Sequence, residues 1–136
     1  MGALMFVLRL VMSSLPNIHL LGVLIISMTV VFRAKALIPI YLYVLLEGVF
    51  SGFALWWVPY LYIWTVLWGF AMLLPKNMPK EVAPFVYMTV CGLHGLMFGI
   101  LYAPFQALAF GLSFEATIAW ILAGLTFDAI HAVSNF

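Results

Sequence analysis

Five ionisable side chains interrupt otherwise apolar runs of this chain: Arg9, Glu47, His94, Asp128 and His131. Two carboxylates and two imidazoles could exchange protons or, in principle, ligate zinc. No His-Glu-x-x-His pair is present, and the four residues belong to three separate runs. Asp128, His131 and Asn135 are spaced i, i+3, i+7, so they share one helical face. That trio reads first as glue between helices, polar groups satisfying one another across a packed bundle at about 1 kcal/mol each. A proton or ligand relay is the sharper alternative. By helical rise, Glu47 and His94 stand at similar heights in their runs and could share a midplane.

A second group of residues points to recognition rather than reaction. Trp56, Trp57, Tyr60, Tyr62, Trp64 and Trp68 crowd one short stretch. Trp56, Trp57 and Tyr60 suit an interfacial aromatic belt. Tyr60, Trp64 and Trp68, however, recur every fourth residue and form a stripe descending from that belt. A belt does not need residues so deep, whereas a cleft for a flat heterocycle does, since aromatic faces stack on it and exclude water. Asn17, His19 and Gln106, assigned to outer turns, would orient such a ligand by hydrogen bonds. The expected binding set is therefore Asn17, His19, Trp57, Tyr60, Trp64 and Gln106, with Glu47, His94, Asp128, His131 and Asn135 as an intramembrane polar network.

The elements that must position these groups follow from composition. The chain is 68% hydrophobic, and only 9 of its 136 residues are Asp, Glu, Lys or Arg. A membrane-spanning helix takes roughly 17–25 residues, so the length covers about six spans with little loop between them. The apolar runs predict spans near 1–15, 18–32, 36–57, 60–74, 85–103 and 114–136, in one helical domain. The first run reads as a retained span, since no small-residue cleavage pattern follows it. The first two spans are short for a bilayer, which points to tilted helices or trimmed chain ends. Pro16-Asn17, Trp57-Val58-Pro59-Tyr60 and Pro75-Lys76 supply the turns, and Pro104 to Ser113 predicts an irregular outer connection. Ser113 is placed to cap the sixth helix, with Glu115 in its first turn.

Charge orients the bundle. Arg33, Lys35, Lys76 and Lys80 lie in two loops that fall on the same side when the spans are counted alternately. Basic loops are held in the cytoplasm, so both termini are expected there too. A net charge of +1 makes no electrostatic case for nucleic acid. The single cysteine, Cys91, excludes an internal disulfide and a multi-cysteine metal site. Gly48 with Gly52, Gly95 with Gly99, Ala107 with Gly111, and Ala119 with Ala123 place small residues one turn apart, where helices within the chain or from a partner approach closely.

Several of these positions resemble the substrate-binding S component of energy-coupling factor (ECF) vitamin transporters. The likeness runs through Leu15-Pro16-Asn17, Leu46-Glu47-Gly48 with Gly52, the Trp56-Trp57 turn with Tyr62 and Trp64, and Phe127-Asp128-x-x-His131-x-x-x-Asn135-Phe136. It departs at Val7, where the family's Ala-x-x-x-Ala docking patch beginning at Ala3 would end. It departs again at His19, where an acidic residue is expected. The resemblance implies a vitamin-like substrate held near the outer surface, a transmembrane coupling subunit and two ATPase subunits as partners, and a bacterial plasma membrane. No Gly-x-x-x-x-Gly-Lys-Ser/Thr loop is present, so ATP hydrolysis would come from the partners. The expectation is thus a capture subunit, not an enzyme, with no cofactor. A structural or assembly subunit, or an intramembrane acid/base or metal enzyme built on Glu47, His94, Asp128 and His131, are the alternatives.

Overall fold

The computed structural model describes residues 1–15 and 18–136. Among these, 80% are helical and no strand occurs. Seven α-helices follow in order: α1 (Gly2–Val11), α2 (Leu21–Phe32), α3 (Leu37–Ser51), α4 (Tyr60–Leu73), α5 (Ala83–Leu96), α6 (Phe98–Phe110) and α7 (Phe114–Asn135). Four helical runs are long and apolar enough to cross a membrane: Leu21–Ser51, Leu55–Leu73, Ala83–Phe110 and Phe114–Asn135. The count falls below six for two reasons. Helix α1 has only 10 residues, and a short 3-10 turn at Arg33–Ala36 joins the second and third apolar runs. Leu73, Leu108, Phe114 and Val133 are each more than three-quarters exposed. Such an apolar exterior suits lipid as the surrounding solvent.

The run Leu21–Ser51 doubles back at Arg33, a non-glycine residue with φ of 52°. Left-handed backbone costs a side-chain-bearing residue roughly 1–3 kcal/mol and persists only where neighbours enforce it. Trp68 Nε1 donates to the Arg33 carbonyl at 3.2 Å, and the Arg33 guanidinium donates to the Met72 carbonyl at 2.8 Å. These two bonds clamp the reversal onto the end of α4. Helix α3 then climbs beside α1 in the same direction, with Gly2 against Pro39 and Leu42 and Arg9 against Glu47. Tyr41 on α3 bonds Leu61 and Thr65 on α4, which descends beside it. The shared core contains Met5, Ile25, Ile40, Tyr43, Trp64 and Leu67, all within 2% exposure.

Helices α5 and α6 form one nearly continuous run, where the sequence predicts an irregular connection from Pro104. Pro104 lies inside α6. It removes the N–H that the Ile100 carbonyl would otherwise accept, yet membrane helices tolerate this when neighbours re-satisfy the backbone. The interruption comes earlier, at Met97, between α5 and α6. There the Gly99 N–H turns to the Asp128 carboxylate, at 3.2 and 3.1 Å from its two oxygens. A carboxylate at the first turn of α6 also complements the helix dipole. Gly111, with φ of 63°, ends α6 in left-handed backbone, and Ser113 Oγ caps α7 by accepting the Ala116 N–H. The α6–α7 hairpin projects past the Trp56–Tyr102 bond by about 12 Å at 1.5 Å per residue.

Helix α7 lies antiparallel against α5 and α6, and the closest approach is at Gly95. A Cβ there would stand 2.9 Å from Ala132 N and from the His131 carbonyl, and backbone cannot yield as a flexible side chain can. Gly95→Ala should therefore cost about 1–3 kcal/mol, the usual scale for overpacking. Gly124→Ala has open space around its added methyl and should raise stability by up to about 1 kcal/mol through helix propensity. Thermal unfolding of both variants in detergent tests the contrast.

Candidate functional site

The helix directions bring the end of α1, Ile18 and His19 ahead of α2, the start of α4 and the lower half of α7 to one place. There they enclose a cavity of about 180 Å³. One buried water needs roughly 10–15 Å³ on the same kind of measure, so the space suits a small ring system. Trp64 forms its floor and is 2% exposed. Tyr60, Tyr43 and Phe98 surround that indole with ring centroids at 5.8, 6.2 and 5.8 Å. His19 ahead of α2 and His131 from α7 close one side edge to face, with centroids 4.7 Å apart. Exposed Leu15 and Ile18 flank the opening. This mouth lies at the end of the bundle opposite Arg33.

Buried polar groups in proteins normally find a partner, and leaving one unmet costs about 1–3 kcal/mol. Several buried donors in this bundle meet that rule through backbone carbonyls. Trp57 Nε1 donates to Val44 O at 2.7 Å, Tyr62 donates to Leu101 O at 2.8 Å, and His94 Nε2 donates to Ile63 O at 3.0 Å. Among the described residues the exceptions are both Glu47 oxygens, Asn135 Oδ1 and three ring nitrogens of cavity-lining residues. Trp64 Nε1, His19 Nδ1 and His131 Nε2 are buried without a hydrogen-bond partner. An indole N–H can only donate, while a neutral imidazole offers a donor or an acceptor according to its tautomer. Aromatic rings set among polar side chains, with a few unmet polar atoms beside them, are the makings of a heterocycle site.

Charge is arranged around this site with one unusual pair. Arg9 at the end of α1 places Nε 3.1 Å from Glu47 Oε1. Neither Glu47 oxygen receives a well-aligned hydrogen bond. The contact is therefore held by charge more than by geometry. Glu47 is fully buried while Arg9 stays about a third exposed at the cavity wall. His19 lies outside the helical runs. Burial pushes its imidazole down to about 4, and nearby Arg9 and His94 act in the same direction. His19 is thus neutral at physiological pH.

The sequence-selected residues divide among several roles. His19, Tyr60 and Trp64 line the cavity together. Asn17 lies outside the described residues. Trp57 is not in the cavity wall; its indole locks the Leu55–Trp57 turn onto α3 and packs edge to face on Phe53. Gln106 is also absent from it, because the helix runs on through Pro104 and places Gln106 one turn beyond Tyr102 on α6. Trp68, third in the aromatic stripe, serves the Arg33 clamp instead.

The polar network separates in a similar way. Asp128, His131 and Asn135 all point inward at 5% exposure or less, yet they meet different neighbours. Asp128 caps α6, His131 faces His19 and Phe98, and Asn135 lies beside Gly22 and Cys91. His131 thus belongs to the cavity and not to a purely structural trio. His94 backs Trp64 from outside the wall, at a centroid distance of 5.9 Å. Among the described residues, no three His, Cys, Asp or Glu side chains stand close enough to share a metal ion. Gly48 is covered by the Phe53 and Trp57 rings, and Gly95 and Gly99 face α7. Gly52 ends α3 with φ of 88° and open space around it, so its role is a turn and not close packing. Ala119 and Ala123 lie exposed on α7.

Sequence reasoning left Arg9 without a partner and passed over Tyr43 and Phe98. The Tyr43 to Glu47 spacing of one turn was the available signal; Phe98 carried none beyond its neighbourhood to Gly95 and Gly99. No family model matches the chain, and no curated protein and no solved structure matches it either.

Two measurements follow from this electrostatic arrangement. Arg9→Met should destabilise the protein by up to about 3–5 kcal/mol by stranding the Glu47 charge, an upper bound given the exposure of Arg9. The double variant Arg9→Met/Glu47→Gln should recover most of that loss in thermal unfolding. For His19, the folded state disfavours the proton that the unfolded chain accepts near its ordinary value of 6.5. Its contribution to stability is therefore complete above pH 6.5 and fades as pH falls toward 4. His19→Gln should flatten part of the pH dependence of unfolding in that window.

Proposed function

We propose that this chain is a membrane-embedded solute-binding subunit that captures a small, flat, vitamin-like nutrient in the Trp64 cavity. The observation that carries the reading is a cavity lined by Trp64, His19 and His131, each of which has a buried ring nitrogen without a hydrogen-bond partner. Tyr60 and Phe98 hold the ring edge to face, and the Trp64 N–H reads an acceptor on it. Neutral imidazoles read polar atoms on its rim.

The wider assignment is an S component of an ECF-type importer, with six crossings, both termini cytoplasmic and a bacterial plasma membrane. Its partners are then a transmembrane coupling subunit and two ATPases. The sequence resemblance supports this, as does a cavity opening at the end opposite Arg33, Lys76 and their neighbouring lysines. On the positive-inside rule that opening faces outward. Reversal at Arg33 splits Leu21–Ser51 into two antiparallel crossings, which together with α1, beside which the bilayer would thin, makes six. Exposed Ala119 and Ala123 on α7 leave a low-relief surface where a partner helix fits closely.

Mass spectrometry of molecules that co-purify with the protein should return a heteroaromatic compound. Its binding should quench or shift tryptophan fluorescence. Trp64→Ala and His131→Phe should each weaken affinity at least about tenfold, the effect of losing roughly 1.4 kcal/mol of contact, while Trp57→Phe, outside the wall, should bind normally. Unchanged affinity in Trp64→Ala would refute the stacking role.

A further inference from the structure

We infer a second binding site at the Arg33 end of the bundle, built for one anionic phospholipid. A pocket of about 180 Å³ opens there between the reversal after α2, the end of α4 and the start of α5. Arg33 and Lys76 both line it, and no acidic side chain does. The single ion pair among the described residues is Arg9 with Glu47, at the opposite end of the bundle. The two cations therefore converge on a small space without a protein counter-ion. One guanidinium nitrogen of Arg33 is fixed by the Met72 carbonyl, and its backbone is pinned by Trp68. That leaves the remaining N–H groups of a pre-oriented fork, suited to phosphate oxygens.

The pocket does not end in water on every side. Val30 and Tyr87 line it and also line a second, larger groove of about 400 Å³ between α2 and α5. That groove follows α2 from Val30 back to Val23 and α5 from Pro84 to Cys91. Its walls are apolar apart from Ser27, the Tyr87 hydroxyl and Asn135. Along each helix it extends about 10 Å at 1.5 Å per residue. A cationic pocket adjoining an apolar groove, with Val30 and Tyr87 shared by their walls, matches an amphiphile: a phosphate between Arg33 and Lys76, and one acyl chain lying along α2 and α5. Basic pockets at membrane depth recognise anionic headgroups by this combination of charge and apolar contact. Free phosphate fits only the first half of the site. This inference is independent of the solute-capture reading, since it uses neither the cavity nor its residues.

Native mass spectrometry of the full chain in detergent tests it, with phosphatidylglycerol, phosphatidylcholine of the same acyl chains, and inorganic phosphate as probes. One saturable phosphatidylglycerol adduct is expected, at least about tenfold tighter than phosphatidylcholine, with two cations contributing roughly fivefold each. Lys76→Gln should weaken it about fivefold, and Val23→Trp, which fills the groove, should weaken it as well. Lys35→Gln, whose side chain is outside the pocket, should bind as the parent does. Arg33→Gln risks the reversal itself, so Lys76→Gln and Val23→Trp carry the test. Equal binding of the two lipids, displacement of phosphatidylglycerol by equimolar inorganic phosphate, or unchanged affinity in either decisive variant would overturn the proposal.

Discussion

A polar group removed from water has to meet its hydrogen bonds inside the protein, and in an apolar bundle this constraint organises nearly everything else. Indoles, phenols and one imidazole reach across to backbone carbonyls on neighbouring elements, so each such bond fixes two elements relative to each other. Trp57 ties the α3–α4 turn to α3, Tyr102 ties α6 to that same turn, and Tyr62 ties α4 to α6. Asp128 goes further, opening the helical ladder at Met97 to take the Gly99 N–H. Of the unmet atoms among the described residues, three belong to residues that line the Trp64 cavity and the others to Glu47 and Asn135.

Much of the architecture was legible from residue types. Apolar runs and prolines locate most helices, and the all-helical class follows from them. Charge places Arg33 and Lys76 at one end together. What escaped was register between helices. Spacing puts Asp128, His131 and Asn135 on one face, and all three are buried. Counting along a helix cannot tell which neighbour each position meets, so His131 was grouped with the glue instead of with His19. The same limit left Arg9 unpaired, although Glu47 was its only buried carboxylate neighbour in the α1–α3 contact. Gln106 was misplaced for a different reason: Pro104 reads as a helix end in water, while packing against α4 and α7 carries this helix through. The aromatic stripe was half informative, since Tyr60 and Trp64 serve the cavity while Trp68 braces the reversal at Arg33.

The two ends of the bundle are built on opposite principles. At one end, histidines and aromatic rings surround a cavity at whose wall the one charged group, Arg9, is paired with Glu47. At the other, cations are left without counter-ions beside an apolar groove. Trp64 and Trp68, one turn apart on α4, join the two regions: the first floors the cavity and the second holds the Arg33 carbonyl. A shift of α4 along its axis would be felt at both.

The unequal lengths of the helices have a further consequence for the surrounding lipid. Helices α1 to α4 have 10 to 15 residues each, or about 15–22 Å at 1.5 Å per residue. The α5–α6 run has 28 residues, or about 42 Å on the same rise. A hydrocarbon layer is about 30 Å thick, so no single slab thickness suits both flanks. Hydrophobic mismatch of this kind is relieved by inclining the long hairpin or by thinning the bilayer beside the short helices. Either response brings the headgroup region closer to the mouth between α1 and α2, shortening the path from bulk water to Trp64.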